Sequence, residues 1–155
     1  MTQGSQRADI DHSVAASARV EVWSGTLDLW RRFPVLGTGL GSFESVYPMV
    51  ESEAVAAVTW EHAHNDWLEL LATGGVVAAV VLLVGVAALG RRLCARLLAG
   101  RTPDAQAAAL AGIGAVLAIG LHELVDFGLT LPANAATLAA LVGVASASDA
   151  DSDSE

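Results

Sequence analysis

The chain has 155 residues, of which 54% are hydrophobic and only 16% are charged, and its mean hydropathy is +0.52. Ordinary soluble domains contain roughly 25% charged residues, so this composition argues against disorder and favours a membrane protein. The net charge of −9 excludes the basic surface that binding of a nucleic acid requires. The single cysteine, Cys94, excludes an internal disulfide and a cysteine-based metal site.

The first region, residues 1–66, is polar and is predicted to lie outside the membrane. Apolar residues recur in it at helical spacing, at Val20, Trp23, Leu27 and Leu29 or Trp30. This pattern predicts an amphipathic helix on the membrane surface or at the outer mouth of the protein. Arginine binds phosphate oxygens in a bidentate manner, so Arg19, Arg31 and Arg32 are candidates for binding a phosphate-bearing lipid. Contact with lipid headgroups is the alternative, and it is preferred for Arg31 and Arg32.

A glycine-rich segment, PVLGTGLGSF, follows this predicted helix and places Gly37, Gly39 and Gly41 at alternate positions. Such spacing can expose backbone amides to a phosphate. The segment differs from the dinucleotide-binding fingerprint, because no apolar strand precedes it and no βαβ unit follows. A tight turn is therefore the favoured interpretation.

Polar residues cluster just before the first apolar stretch, in the sequence WEHAHNDWLELLATGG. Asn65 or Asp66 can cap the helix that follows, and Glu69 would complete a capping box with Asp66. Capping does not call for a histidine, because it needs a short hydrogen-bond acceptor. His64 is therefore a candidate for proton transfer, since the ordinary pKa of imidazole, about 6.5, suits that chemistry.

Three apolar stretches predict membrane-spanning helices at about 69–90, 105–123 and 128–147. Four arginines lie in the short loop between the first two, at positions 91, 92, 96 and 101. Positively charged loops stay in the cytoplasm, so residues 1–66 are predicted to face outward and the acidic tail, residues 148–155, to face the cytoplasm.

The second predicted span carries small residues at four-residue spacing, at Ala107, Ala111 and Ala115, which favours close contact with another helix. His122 and Asp126 lie one turn apart near its end. Ionisable groups at membrane depth are candidates for function. A mutually paired helix end at headgroup level is preferred over direct catalysis, and a carboxylate can also orient an imidazole.

Four landmarks in this order resemble the O-antigen ligase and polymerase family of bacterial membrane glycosyltransferases. They are R-x-x-x-W from Arg19, P-x-L-G-x-G-x-G-x-F from Pro34, His64-Asn65-Asp66 with a glycine pair that ends nine residues after Asp66, and HELVDFGLTLPAN near the end. The resemblance implies an all-α integral membrane protein of about a dozen spans, with a large periplasmic loop near its C-terminus. We therefore expect this chain to be that loop and the last three spans of a larger protein in the bacterial inner membrane.

The resemblance also implies a function, namely transfer of a glycan from an undecaprenyl-diphosphate carrier to a lipid or glycan acceptor. His64 would be the catalytic residue and Arg19 would bind the diphosphate, with Asn65 also placed among the substrate-binding residues. Asp66, His122, Asp126 and the three loop glycines would orient or support the site, and no metal or other cofactor is implied. The predicted partners are the donor, the acceptor, membrane lipids and the missing N-terminal spans.

A noncatalytic or truncated membrane subunit is the alternative. Such a chain would pack against a partner membrane protein through the small-residue faces of its helices. The two interpretations differ in whether His64 takes part in a reaction.

Overall fold

The computed structural model describes residues 3–100 and 102–147, and describes side chains from residue 17 onward. The predicted acidic tail and Arg101 lie outside this part of the chain. The regular elements within it are all helical: α1 Gln3–Arg32, α2 Phe43–Val46, a 3-10 helix Tyr47–Met49, α3 Asp66–Ala99, α4 Pro103–His122 and α5 Pro132–Ser146. The predicted all-α class is confirmed.

Two of these helices, α3 and α4, are long and apolar enough to cross a membrane. Thr102 caps α4 by accepting a hydrogen bond from the Ala105 amide at 3.2 Å, and Pro103 occupies the first turn, where an amide donor is not needed. The third apolar helix, α5, begins only at Pro132 and has 15 residues. Its length of about 22 Å falls short of a hydrocarbon core of roughly 30 Å, so the third span, predicted at about 128–147, stays a prediction.

The chain divides into two compact units, and the boundary falls within α3, between Ala79 and Val80. The core of the first unit joins α1 to the segments that follow it and contains Val22, Phe43, Tyr47, Val55 and Ala63. The rings of Phe43 and Tyr47 stack with their centroids 5.0 Å apart. Gly25 gives this tyrosine room, since a β-carbon there would lie 3.1 Å from the Tyr47 hydroxyl oxygen.

In the second unit, α4 packs against α5. The buried face of α4 consists of Ala105, Ala109 and Gly112. A β-carbon at Gly112 would lie 2.6 Å from that of Ala145, so the glycine permits this close approach. Ala107 and Ala111, which belong to the predicted small-residue stripe, are exposed. The buried face of α4 is therefore the adjacent one, formed by Ala105, Ala109 and Gly112.

Candidate functional site

His64 occupies the turn that leads into α3. Its backbone φ angle is +52°, and it is the one residue other than glycine with a positive φ in the part of the chain that the structure describes. Histidine is one of the residues that adopt this left-handed conformation more readily than most. The conformation still costs of order 1–3 kcal/mol and persists only where the surroundings enforce it.

The surroundings act on Ala63, the residue before His64. The Ala63 amide donates to Oε2 of Glu69 at 2.9 Å, and its carbonyl oxygen accepts from Nε1 of Trp23, also at 2.9 Å. Ala63 itself is fully buried. Side chains from α3 and α1 therefore fix the two peptide units that flank Ala63, the second of which leads into His64. We call these contacts the Ala63 clamp.

Glu69 belongs to this clamp and not to a capping box. Its side chain is largely buried, and its Oε1 atom lies 3.1 Å from Nδ1 of His62. The cap is Asn65, whose Oδ1 accepts from the Leu68 amide at 3.0 Å, so α3 begins one residue later, at Asp66. The sequence interpretation of Asp66 and Glu69 as a capping box was wrong, because the Glu69 carboxylate reaches back past the cap.

The imidazole ring of His64 meets Trp60 edge to face. Their ring centroids lie 6.0 Å apart with an interplanar angle of 86°. The indole of Trp60 is itself held, because its Nε1 donates to the carbonyl oxygen of Val55 at 3.1 Å. The indole ring of Trp60 is therefore held in a fixed position beside the imidazole ring of His64.

The glycine-rich segment docks on a break in α3 at Gly75, where φ is +66° and ψ is −171°. In a continuous helix the amides of Val76 and Val77 would donate to the carbonyls of Ala72 and Thr73. Here the two amides donate to the carbonyls of Pro34 and Val35 at 2.9 and 3.1 Å. The carbonyls of Ala72 and Thr73 accept instead from the amides of Thr38 and Gly39 at 3.1 and 2.8 Å. The loop therefore supplies partners for all four backbone groups at the break, an arrangement that we call the glycine interlock.

Two of the three predicted loop glycines lie in or beside this interlock. A β-carbon at Gly37 would overlap the backbone of Thr73 and lie 2.5 Å from the amide nitrogen of Gly74. The Gly39 amide donates to Thr73, as described above, whereas a β-carbon at Gly41 would meet nothing within 4 Å. The segment is thus a turn, as favoured from the sequence, and its amides at Gly37, Thr38, Gly39 and Ser42 donate to protein carbonyls.

The candidate arginines all lie on α1 with exposed side chains. Arg19 precedes Trp23 by four residues, so it lies on the same face about 6 Å along the helix axis. Because Trp23 contacts Ala63, this face of α1 is the one that adjoins the His64 turn. At the end of the helix, Arg31 contacts Asp28 at 2.6 Å.

The cluster at residues 122–126 belongs to the second unit. Nε2 of His122 lies 3.8 Å from Oδ2 of Asp126, and both side chains are about half exposed. Glu123 between them is buried, and its Oε2 accepts from the Gly128 amide at 2.7 Å. Glu123 lies in the same ionisable cluster of the sequence, HELVDF, but its contact with the Gly128 amide was not predicted.

Comparison with known families identifies the chain. A sequence model of the Wzy_C family, described as O-antigen ligase, matches residues 2–83. The matched part contains α1, the glycine interlock, the His64 turn and the first half of α3. Comparisons with curated proteins and with solved structures give no significant match. The family is one of bacterial membrane proteins, and since its model covers more than half of the chain, this protein belongs to the O-antigen ligase family.

Proposed function

We propose that this chain contributes the catalytic histidine and a phosphate-binding arginine to a membrane glycosyltransferase. The enzyme would transfer a glycan from an undecaprenyl-diphosphate carrier to a lipid or glycan acceptor. The family assignment supports this class of protein, and the conformation of His64 is the observation that carries the assignment of its role.

The proposed reaction is a displacement at the anomeric carbon of the donor sugar. The acceptor hydroxyl oxygen forms the new bond to that carbon, and the bond from the carbon to the diphosphate oxygen breaks. His64 takes the proton that the hydroxyl loses, acting as general base. The leaving undecaprenyl diphosphate keeps the electron pair of the broken bond and carries the developing negative charge.

The support for His64 is that the protein maintains a costly backbone conformation at this residue. The Ala63 clamp uses side chains from two helices to do so, and a residue that only linked two segments would not need that fixation. Left-handed residues that are not glycine cluster at active sites. A fixed imidazole can be held in the geometry that proton transfer requires.

Arg19 is the arginine proposed to bind the diphosphate, because it lies on the face of α1 that carries Trp23. Its guanidinium is exposed and can donate two parallel hydrogen bonds to phosphate oxygens. Arg31 and Arg32 lie three turns farther along α1. We assign them to phosphate or headgroup contact at the end of the helix.

We further propose that the protein lies in the inner membrane with the His64 turn on the periplasmic side. The arginines between α3 and α4 support this orientation through the bias of cationic loops toward the cytoplasm. Exposed apolar side chains along α3, such as Val81 and Val84, and the exposed small residues of α4 provide surfaces on which further membrane spans would pack.

The test compares three variants in a strain whose surface polysaccharide depends on this protein. His64→Ala should abolish transfer, Arg19→Ala should reduce it more than Arg19→Lys does, and the exposed neighbour Glu61→Gln should leave it unchanged. Membrane content of each variant is measured by blotting. Full transfer by His64→Ala at normal membrane content would reject the catalytic role and favour a noncatalytic subunit.

A further inference from the structure

A cavity of about 130 Å³ opens beside the His64 turn, within the first unit. Its lining comes from α2, the 3-10 helix, Glu51 and residues 56–60. Two carboxylates, Glu44 and Glu51, line it together with Tyr47 and Pro48. We call it the Trp60 pocket.

Trp60 is shared between this pocket and the candidate catalytic residue. Its ring lies 6.0 Å from the ring of His64, centroid to centroid, and its indole nitrogen is anchored to the carbonyl of Val55. The indole nitrogen is therefore occupied, and the contribution of Trp60 to the pocket is its apolar ring. Trp60 therefore both lines the pocket and contacts the candidate catalytic ring.

The lining combines an aromatic ring with acceptor groups, and this combination suits one class of ligand. Ionised carboxylates accept hydrogen bonds but donate none, so Glu44 and Glu51 select groups that donate, such as hydroxyls. A sugar ring presents an apolar face of C–H groups and an edge of hydroxyls. The face matches the indole and the edge matches the carboxylates, as in sites where a few polar groups orient a ligand on an apolar wall.

The negative charge of the pocket further restricts which sugars it can bind. No lysine or arginine occurs between Phe33 and Arg91, so the segments that form the pocket carry carboxylates without any lysine or arginine of their own. An anion placed between Glu44 and Glu51 is repelled. The donor sugar next to a diphosphate is therefore disfavoured in this pocket, whereas a neutral sugar of the acceptor is not.

We propose that the Trp60 pocket is a subsite for a neutral sugar of the acceptor glycan and that it discriminates against acidic sugars. The assignment of this sugar to the acceptor rests on the proposed role of His64. The binding of a neutral sugar in the pocket does not depend on that role. The two carboxylates set the selectivity, and Trp60 provides the contact surface.

The test is a binding measurement by saturation-transfer NMR on the full chain in detergent, at low salt. Three probes are used: methyl β-glucoside, methyl β-glucuronide and glucose 1-phosphate. We expect the neutral glucoside to bind and both anions to bind roughly tenfold more weakly or not at all. Equal binding of the glucoside and the glucuronide would overturn the selectivity, and absence of glucoside binding would overturn the subsite.

Matched variants test which residues are responsible for sugar binding and for its selectivity. Glu44→Gln with Glu51→Gln should bring the affinities for the glucoside and the glucuronide within about threefold, while the exposed pair Glu53→Gln with Glu61→Gln should leave their ratio unchanged. Trp60→Ala should abolish binding and Trp60→Phe should retain part of it. If the Glu44 and Glu51 variant leaves the ratio unchanged, the assignment is wrong.

The same assay separates this proposal from the proposed function. His64→Ala should keep glucoside binding because His64 is not part of the lining. If this variant binds the glucoside and still transfers glycan in cells, the catalytic role fails and the subsite stands. If it loses transfer and the unmodified chain does not bind the glucoside, the subsite alone fails.

Discussion

Trp23 and Glu69 hold the same residue from opposite sides. The indole of Trp23 donates to the carbonyl oxygen of Ala63, and the carboxylate of Glu69 accepts from the Ala63 amide, each at 2.9 Å. One residue comes from α1 and the other from α3, so the two helices jointly fix the backbone that leads into His64.

Removing the charge of Glu69 should therefore lower the proposed transfer activity more than it affects folding. In Glu69→Gln the remaining side-chain oxygen can still accept from the Ala63 amide, but that hydrogen bond loses the assistance of the negative charge, and the new NH2 group can only donate. We expect the rate of transfer at saturating donor to fall about tenfold or more, with little change in KM and in helix content. Glu61→Gln, an exposed neighbour, is the control, and equal rates for the two variants would contradict the clamp.

Gly75→Ala should destabilise the first unit through the glycine interlock. A β-carbon at this position would overlap the carbonyl of Val35 and lie 2.6 Å from the amide nitrogen of Gly37, at a φ of +66°. A backbone with φ of +66° and ψ of −171° is adopted almost only by glycine and costs of order 1–3 kcal/mol for other residues, and the overlap with backbone adds to it. The expected result is a loss of at least about 2 kcal/mol, measured by unfolding in detergent.

Gly85→Ala is the matched control in the same helix. A β-carbon at Gly85 meets nothing within 4 Å, and alanine is the better helix former by up to about 1 kcal/mol. This variant should be as stable as the unmodified chain or more so. Equal stability of Gly75→Ala and Gly85→Ala would show that the interlock does not form.

Tyr47 should titrate far above an ordinary tyrosine. Burial, followed by the charges of Glu51 and Glu21, raises its pKa from 10.0 to about 12. Because the folded state holds the proton more tightly, this contribution to stability is fully present below pH 10 and is lost as the pH rises from 10 to 12. Tyr47 is the one tyrosine of the chain, so tyrosinate absorbance reports it alone, and a midpoint near 10 in the folded protein would reject its burial.

Gly128→Ala should destabilise the turn between α4 and α5. A β-carbon at Gly128 would lie 2.5 Å from Oε1 of Glu123, whose other oxygen accepts from the Gly128 amide. Overpacking of this kind costs typically about 1–3 kcal/mol. Gly143→Ala in α5, where a β-carbon meets nothing within 4 Å, should be neutral, and unfolding of both variants in detergent checks the difference.

Cys94 gives a direct test of the proposed orientation. It is exposed and lies among the arginines that follow the first apolar stretch. A membrane-impermeant maleimide should label it only after the cell is opened, whereas a cysteine introduced as Val58→Cys in a Cys94→Ser chain should react in intact spheroplasts. The reverse labelling pattern would place the His64 turn in the cytoplasm.

The sequence predicted the helical class, the positions of the long apolar helices and a cap at the start of α3. It did not predict the break in α3, because a glycine pair inside an apolar run is compatible with a continuous helix. The break depends on backbone partners from a loop more than thirty residues earlier, and such pairing leaves no periodic signal.

The candidate site was also predictable only in part from the sequence. His64 was selected for the chemistry of its side chain, which is visible in the sequence. Its left-handed backbone and the shared contact of Trp23 and Glu69 with Ala63 arise from tertiary packing. Glu69 was assigned to a capping box because its spacing from Asp66 fits one. In the structure its side chain reaches farther back and accepts from the Ala63 amide.

The glycine interlock also bears on how the protein enters the membrane. Hydrocarbon offers no hydrogen-bond partners, so the amides of Val76 and Val77 and the carbonyls of Ala72 and Thr73 need partners at every stage of insertion. Before residues 34–39 are in place, these four groups can form hydrogen bonds only with one another. We therefore expect α3 to leave the translocon as an unbroken helix and to bend at Gly75 only when the loop arrives, which makes the bend a late event in biogenesis.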